Sequence, residues 1–598
     1  MRRIFILLLC NLLTASLFAR AINEEQARTK AAQFFQRAPQ SRSISAPLQL
    51  VWNGESSSTR QNGDPAFYVF NRTDRPGFVI ISGDDQTPTI LGYSYQHSFR
   101  SEQMPLNLKL WMENLRQQIL RVREGAFRAS TRSGEEVGDV VLQLETAQWN
   151  QTEPYNNDCP IVNGKRAVTG CTATAFAIAM RYRRWPDQGV GTIPSYQSKG
   201  SAVVTVSARP LDKPYQWDLM PMSLTNSSSE ESKAEVARLM ADCGAMGQAM
   251  YGSSTAAYER TMLQGAIQYM KYYADALSWS RELFSDSEWI ARLKKSLHDN
   301  GPIIYCGSTK NNEGHAFILD GYTSGDYFSV NWGWGGLANG FYLVDKLAPT
   351  YQGTGGSASM LPFDYHQTAI LDFKKAEEGV VAKPYIVLHE GPASNGTTMD
   401  GLTTTTQRVE KGVEFDIKAG FFYNIGNVDF AGNVALALFD SKGEMLGVAS
   451  QSIFSYADRP LEPEYLGYIN KWTCQIDREP QVGDYIALLY QADADSEWIP
   501  MRYSKNVTGH LELRPASMVI AKGTSLKFDR KSRQLTLTTL ADITWKLVEK
   551  STGHTVASGK TSTGKTTFQV DASALTEASY DLVLEKYNSS KILSIKLK

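Results

Sequence analysis

Cys171 stands in the run Gly170-Cys171-Thr172-Ala173-Thr174-Ala175-Phe176-Ala177-Ile178-Ala179-Met180, where a glycine gives way to helix formers. The pattern predicts an apolar helix with the Cys171 sulfur in its first turn. A helix N-terminus carries partial positive charge and unsatisfied N–H groups, so it favours a thiolate over a thiol. A thiolate attacks carbonyls, whereas a buried thiol is a small, inert hydrophobe. That bland reading suits Cys243 and Cys306. For Cys171 the downstream sequence favours the reactive one. Gly314-His315-Ala316-Phe317 follows, with His315 some 144 residues on, and then Asn331-Trp332-Gly333-Trp334-Gly335-Gly336. A cysteine at a helix start, a distant histidine and an amide beyond it can perform acyl transfer through a thioester.

Each member of this set has a chemical task and an ordinary alternative. Imidazole titrates near neutral pH, so His315 can hold the Cys171 proton and later pass it to a leaving amine. Between Gly314 and Ala316 it could equally be a core histidine, but the preceding Lys310-Asn311-Asn312-Glu313 is polar and suits a cleft edge. Asn331 lies 16 residues on, at the end of the next strand, where a hairpin would bring the two side by side. An amide there would fix the ring without adding charge. The small residues around Cys171 leave its own N–H free to donate to an oxyanion. Gln151, in Trp149-Asn150-Gln151-Thr152-Glu153-Pro154-Tyr155-Asn156, suits the second donor, although a glutamine in a polar loop is commonly just solvated. Trp332 and Trp334 are either structural or an indole screen that keeps water from the histidine.

The elements that must hold these residues fall in residues 137–375. Helices are expected at 171–184, 232–250, 255–275 and 286–298, and strands at Pro302–Tyr305, His315–Asp320 and Tyr327–Trp332, an α+β pattern. Residues 22–136 form a preceding α+β unit. Its helix opens at Ile22-Asn23-Glu24, strands cover Ala66–Phe70 and Gly77–Asp85, and a second helix spans Leu106–Arg123 with Leu110, Trp111, Leu115, Ile119 and Leu120 on one side. The polar stretch Arg128–Glu136 has no periodicity and reads as a linker open to proteolysis. From residue 380 the texture changes to short alternating strands parted by Gly, Asn and Asp, the pattern of all-β sandwiches. A break near Pro515 divides this region into 380–514 and 515–598.

Composition narrows the classes. The 598 residues carry 61 basic and 62 acidic side chains, a net charge of −1 that gives no general case for a nucleic-acid partner. Arg2-Arg3, the apolar run from Ile4 and the site Ala19-Arg20-Ala21 read as a signal peptide, residues 1–21. No other run is long enough to span a membrane. An exported, soluble protein is expected. Cys159, Cys171, Cys243, Cys306 and Cys474 remain after its removal, an odd number that leaves at least one free thiol. Without CxxC pairs or histidine clusters no metal site is expected, and the acyl-transfer chemistry calls for no cofactor.

The run Thr169–Ala175 and the segments Gly314–Gly321 and Val330–Gly336 resemble the streptopain family of secreted bacterial cysteine peptidases. Asn150-Gln151 with Pro154-Tyr155-Asn156 is similar to that family's oxyanion segment, and Gly77–Gly92 (GFVIISGDDQTPTILG) to its inhibitory propeptide. Thr172 and Phe176 depart from the family's pattern with no evident chemical consequence. The resemblance covers residues 22–375. It implies a papain-like core in 137–375, a propeptide in 22–136 that inhibits its own enzyme, and cleavage of protein or peptide substrates with an apolar pocket near the cut. It implies nothing about residues 380–598, whose roles could include anchoring, substrate binding or export sorting. The competing readings are an adhesion protein with a vestigial core and a Cys/His transglutaminase or amidase. The intact set Cys171, His315, Asn331 and Gln151 weighs against the former, and the Trp-Gly-Trp-Gly-Gly run against the latter.

Overall fold

The structure, a computed structural model, describes residues 21–37, 47–54, 64–104, 106–123, 137–308, 314–344, 365–389, 401–406, 409–469, 471–493, 496–505, 507–513, 525–529, 534–539, 543–561, 564–569, 579–586 and 589–596. The expected signal peptide (Ala21 apart), the linker Arg128–Glu136 and the loop Lys310–Glu313 lie outside them. Contacts divide the chain into two compact units, Met1–Ala382 and Lys383–Lys598.

The first unit opens with α1 (Glu24–Gln36), whose start is fixed by a reciprocal cap. The Asn23 side chain accepts from the Gln26 N–H at 2.9 Å and the Gln26 side chain accepts from the Asn23 N–H at 3.0 Å. Ala27, Ala31, Phe34 and Phe35 make its buried stripe, which packs on β2 (Phe67–Arg72) and β3 (Phe78–Ser82). These strands form an antiparallel meander with β1 (Leu48–Trp52) and β4 (Ile90–Ser94). Every residue of β3 and β4 is buried, so they read as unbroken apolar runs rather than alternating ones.

The second helix, α2 (Leu106–Arg123), has the bounds its sequence predicts. Its buried face differs from the expected one: Leu108, Met112, Leu115, Ile119 and Val122 are buried, while Trp111 and Leu120 are half-buried. The spacing 108-112-115-119-122 follows the helical period more faithfully than 110-111-115-119-120, and the Leu110 side chain lies outside the described ones. Arg123 closes the helix onto the end of β3. Its guanidinium reaches the carbonyls of Asp64, Pro65 and Gly83 and the buried Asp84 carboxylate.

The remainder of this unit holds α3 (Cys171–Arg183), α4 (Glu230–Met246), α5 (Glu259–Met270) and α6 (Asp286–Asn300). Beside three short two-stranded ribbons within 161–210, its strands are β5 (Val140–Gln143), β6 (Ser278–Ser280), β7 (Ile303–Ser308), β8 (Gly314–Thr323), β9 (Phe328–Asn331), β10 (Gly340–Tyr342) and β11 (Tyr365–Ile370). All belong to one antiparallel sheet in the order β1-β2-β3-β4-β10-β9-β8-β7-β11-β6, with β5 added to β8. The N-terminal meander is thus continuous with the sheet that carries His315. The junction is the pairing of Phe341 with Tyr93 and of Tyr342 with Gly92. Gly92 is required there, because a Cβ would lie 2.6 Å from the Tyr342 ring. Residues 172–180 of α3 are all buried, which explains why that helix is apolar on every side.

The second unit is all β among its described residues. Strands Ile386–His389, Gly420–Asn424, Leu466–Ile469 and Arg502–Tyr503 form one sheet, and a six-stranded sheet is built around Asn433–Phe439 and Tyr485–Gln491. Leu388 and Phe422 of the first share a core with Leu436 and Leu488 of the second, as in a sandwich. Further on, Ile543–Glu549 alternates buried and half-buried residues along a four-stranded sheet with Thr555–Thr561, Ser579–Lys586 and Ser589–Lys596.

Candidate active site

Gly170 precedes α3 at φ +86°, a backbone open to glycine, and a Cβ there would lie 2.8 Å from the Thr255 carbonyl oxygen. This turn sets Cys171 at the first helical position, half-buried. Its Sγ accepts the backbone N–H of Ala316 at 3.4 Å, which joins the helix start to the beginning of β8. His315 is the residue before Ala316. Strand alternation places Ala316 and Ile318 in the core with α3 and sends His315 and Phe317 to the opposite face. The Trp332 ring lies 5.0 Å from that of Phe317.

Among the described residues Cys171 makes no hydrogen bond to His315, and burial acts on both groups. Burial pushes the Cys171 thiol up, against the N–H groups of Ala316, Thr172 and Cys171 itself, which pull it down. Burial also holds the His315 imidazole down to about 4. The expectation of a thiolate at the helix N-terminus thus meets an opposing effect in this state: the N-terminal N–H groups favour the thiolate and burial disfavours it.

Gln151 is buried rather than solvated. Its carbonyl accepts the Thr169 N–H at 3.1 Å, which fixes it beside the turn that leads into Cys171. The Nε2 of Gln151 is buried with no hydrogen-bond partner among the described residues. An unmet buried donor costs about 1–3 kcal/mol. Such a cost, kept in the segment next to a half-buried thiol, fits a donor whose acceptor arrives with a ligand.

Asn331 does not act where the sequence reading put it. Its Nδ2 donates to Thr146 Oγ1 and to the Ala147 carbonyl, both at 3.0 Å, and its Oδ1 accepts the Gly333 N–H at 3.1 Å. None of its bonds goes to His315. The reason is register: Asn331 pairs with Ile318, three residues beyond His315 and on the other face of the strand. The hairpin forms as expected, but the two side chains diverge. Asn331 instead anchors the Trp332–Gly336 turn, which also donates from Gly335 N–H to the Trp149 carbonyl at 2.9 Å. Trp332 is buried, and its indole donates to the Ala338 carbonyl at 3.1 Å.

Trp332 also meets the N-terminal domain. Trp111 of α2 lies 6.4 Å from the Trp332 ring and 4.9 Å from that of Tyr342, and a small apolar cleft around them is lined by Tyr305, Phe317 and Val344. Sequence reasoning missed Trp111, Thr146 and the Ala316 N–H. Trp111 had been assigned to its own helix's packing, and neither a backbone donor nor an isolated threonine carries a pattern.

The Peptidase C10 family model matches residues 149–342, and the model described as Spi protease inhibitor matches residues 19–119. Streptopain of Streptococcus pyogenes is 30% identical over 381 residues, 60% of this chain and 92% of streptopain. The thiol protease/hemagglutinin PrtT of Porphyromonas gingivalis is 29% identical over 415 residues, 65% of this chain, and the chain spans about half of its length (46%). Among solved structures, a fragment of prointerpain A from Prevotella intermedia is 28% identical, covering 56% of this chain and all of that one with a TM-score of 0.44.

Proposed function

The chain belongs to the C10 family of cysteine peptidases, and from that premise we propose that it is an exported endopeptidase made as a latent precursor, held inactive by its own N-terminal domain. Cys171 Sγ attacks the scissile carbonyl carbon while His315 takes the thiol proton. The oxyanion is met by the Cys171 N–H and Gln151 Nε2. His315 returns the proton to the leaving amine, and water releases the acyl group from the sulfur. No cofactor enters the sequence of steps. A reducing medium favours activity, since oxidation of the thiol beyond the sulfenic acid is not readily reversed.

The observation that carries this reading is the uncommitted Gln151 Nε2, in a segment whose backbone is bonded to Thr169 just before the helix start that bears Cys171. That no hydrogen bond joins Cys171 to His315 among the described residues supports latency, because attack requires the imidazole to take the thiol proton. Export rests on the basic, apolar and small-residue succession of residues 1–21. Among the described residues no helix is long and apolar enough to cross a membrane. Substrates are proteins or peptides, and the propeptide is the chain's own inhibitor.

Two measurements test the site. Gln151→Ala should lower kcat on the order of 10²-fold, the usual effect of losing one oxyanion donor. An unchanged kcat on a peptide amide would remove Gln151 from the mechanism. The second is alkylation. Because burial raises the Cys171 thiol, iodoacetamide should label the uncut protein appreciably only above the ordinary thiol range. The processed enzyme should label at lower pH. Equal labelling of the two forms at neutral pH would count against a latent thiol.

A further inference from the structure

Behind the site, on the core side of β8, runs a series of buried polar groups that the steps above leave unused. Asp320 is buried, and its Oδ2 accepts from the Thr146 hydroxyl while Oδ1 faces Gln143 Nε2 at 3.4 Å. A carboxylate can only accept, so the single Thr146 hydroxyl proton is committed to it. A lone pair of Thr146 Oγ1 is then what Asn331 meets, and Asn331 must present Nδ2 there. The other Nδ2 hydrogen goes to the Ala147 carbonyl, which leaves Oδ1 for the Gly333 N–H. The polarity of the series is fixed at both ends, by the Asp320 carboxylate at one and by the Ala147 carbonyl and Gly333 N–H at the other.

We propose that Asp320 is a positioning residue for catalysis: it turns the Thr146 hydroxyl so that a lone pair meets the Asn331 amide, and so helps hold the Trp332–Gly336 turn against the segment that carries Gln151. The inference rests on the peptidase reading above. The turn meets that segment through Gly335 N–H and the Trp149 carbonyl, two residues before Gln151. It meets α3 where Gly333 faces Thr174, whose Cγ2 would lie 3.2 Å from a Cβ at Gly333. One carboxylate thereby indexes the oxyanion donor and the helix start to a common frame. A proton on Asp320 would reverse the series. The acid would donate to Thr146, the hydroxyl would donate to Asn331, and an amide turned to receive it would lose its bond from Gly333.

Burial pushes the Asp320 carboxyl up to about 6 in the intact chain, eased by hydrogen bonds from Ser329, Thr146 and Gln143. Asp320 is thus charged above that pH and neutral below it, and kcat should fall as the proton is taken up. Glu145, from the segment before Trp149, and Tyr95 and His97, from the segment after β4, are the other titratable groups lining the same cavity of about 530 Å³. Burial holds His97 below its ordinary value, which opposes a positive charge beside Asp320.

The test measures kcat, KM and their pH dependence on a peptide substrate, using full-length protein allowed to mature. Asp320→Asn and Thr146→Val are nearly isosteric, and each should lower kcat about tenfold or more, leave KM within about twofold and abolish the acid limb. Thr146→Ser keeps the hydroxyl and should retain both rate and limb. The double variant Asp320→Asn/Thr146→Val should be no slower than the slower single one, because both remove the same link. Wild-type kcat in either single variant, or losses that multiply in the double, would overturn the proposal. Should both variants fail to fold, a wild-type kcat without an acid limb would overturn it as well. A wild-type protein inactive at every pH would bring down the peptidase reading, and this one with it. An active wild type with indifferent variants would bring down only this one.

Discussion

Cys171→Ala is expected to lower proteolysis of casein by at least about 10⁴-fold, the scale on which loss of a nucleophile leaves only binding and oxyanion stabilisation. The fold should survive, because the sulfur is half-buried and gives up a single weak bond, from Ala316 N–H. A lost hydrogen bond of that kind is worth about 1 kcal/mol. The melting temperature should therefore stay within a few degrees of wild type, which separates lost chemistry from lost structure. His315→Ala should be nearly as severe, since no other described histidine adjoins a residue bonded to the sulfur, as His315 adjoins Ala316. A Cys171→Ala protein that cleaves casein at the wild-type rate would end the central claim. Asn331→Ala should behave differently from either. It removes no partner of His315, so its loss should appear as a misplaced turn, with reduced thermal stability accompanying reduced kcat.

Processing should convert an inactive precursor into an active enzyme whose N-terminus lies between about Ala126 and Val141. The hydrogen bonds narrow this window. The Val137 carbonyl accepts from Thr323 Oγ1, Asp139 N–H donates to Ser324 Oγ, and Val140–Gln143 pairs with β8. A cut inside that pairing would strip a strand from the sheet that carries His315, so the favoured cut lies before Val137. N-terminal sequencing of the active species reads the position directly. In Cys171→Ala precursor the cut should not occur unless active enzyme is added. An active species that begins at Ile22 would overturn the zymogen reading and leave the peptidase reading standing.

What the sequence disclosed followed how local each signal was. The cap Asn23/Gln26 and the bounds of α2 depend on neighbours within a few residues, so both could be read directly. Cys171 at a helix start needed only Gly170 and the apolar run after it. The Asn331–His315 contact was inferred from a hairpin whose existence is local but whose register is not. A three-residue offset and the period of two sent the amides to the wrong face. Asp320 and Thr146 are 174 residues apart, and each is an unremarked polar residue in its own segment. Their partnership is created by the addition of β5 to β8. The state of the thiol was hidden for a different reason: a helix N-terminus is visible in sequence, but the burial that opposes it is a property of the assembled domain.

The pairing of β4 with β10 gives activation a dependence on concentration. While the chain is whole, the inhibitory sheet is held beside its enzyme at a local concentration that dilution cannot change; for tethered partners this is on the order of millimolar. A single cut leaves the strand pairing and the Trp111 contact intact but turns one molecule into two. From that moment silence is a bimolecular equilibrium. A nicked sample kept concentrated should remain quiet, and the same sample diluted should wake at a rate set by strand separation rather than by the protease that cut it.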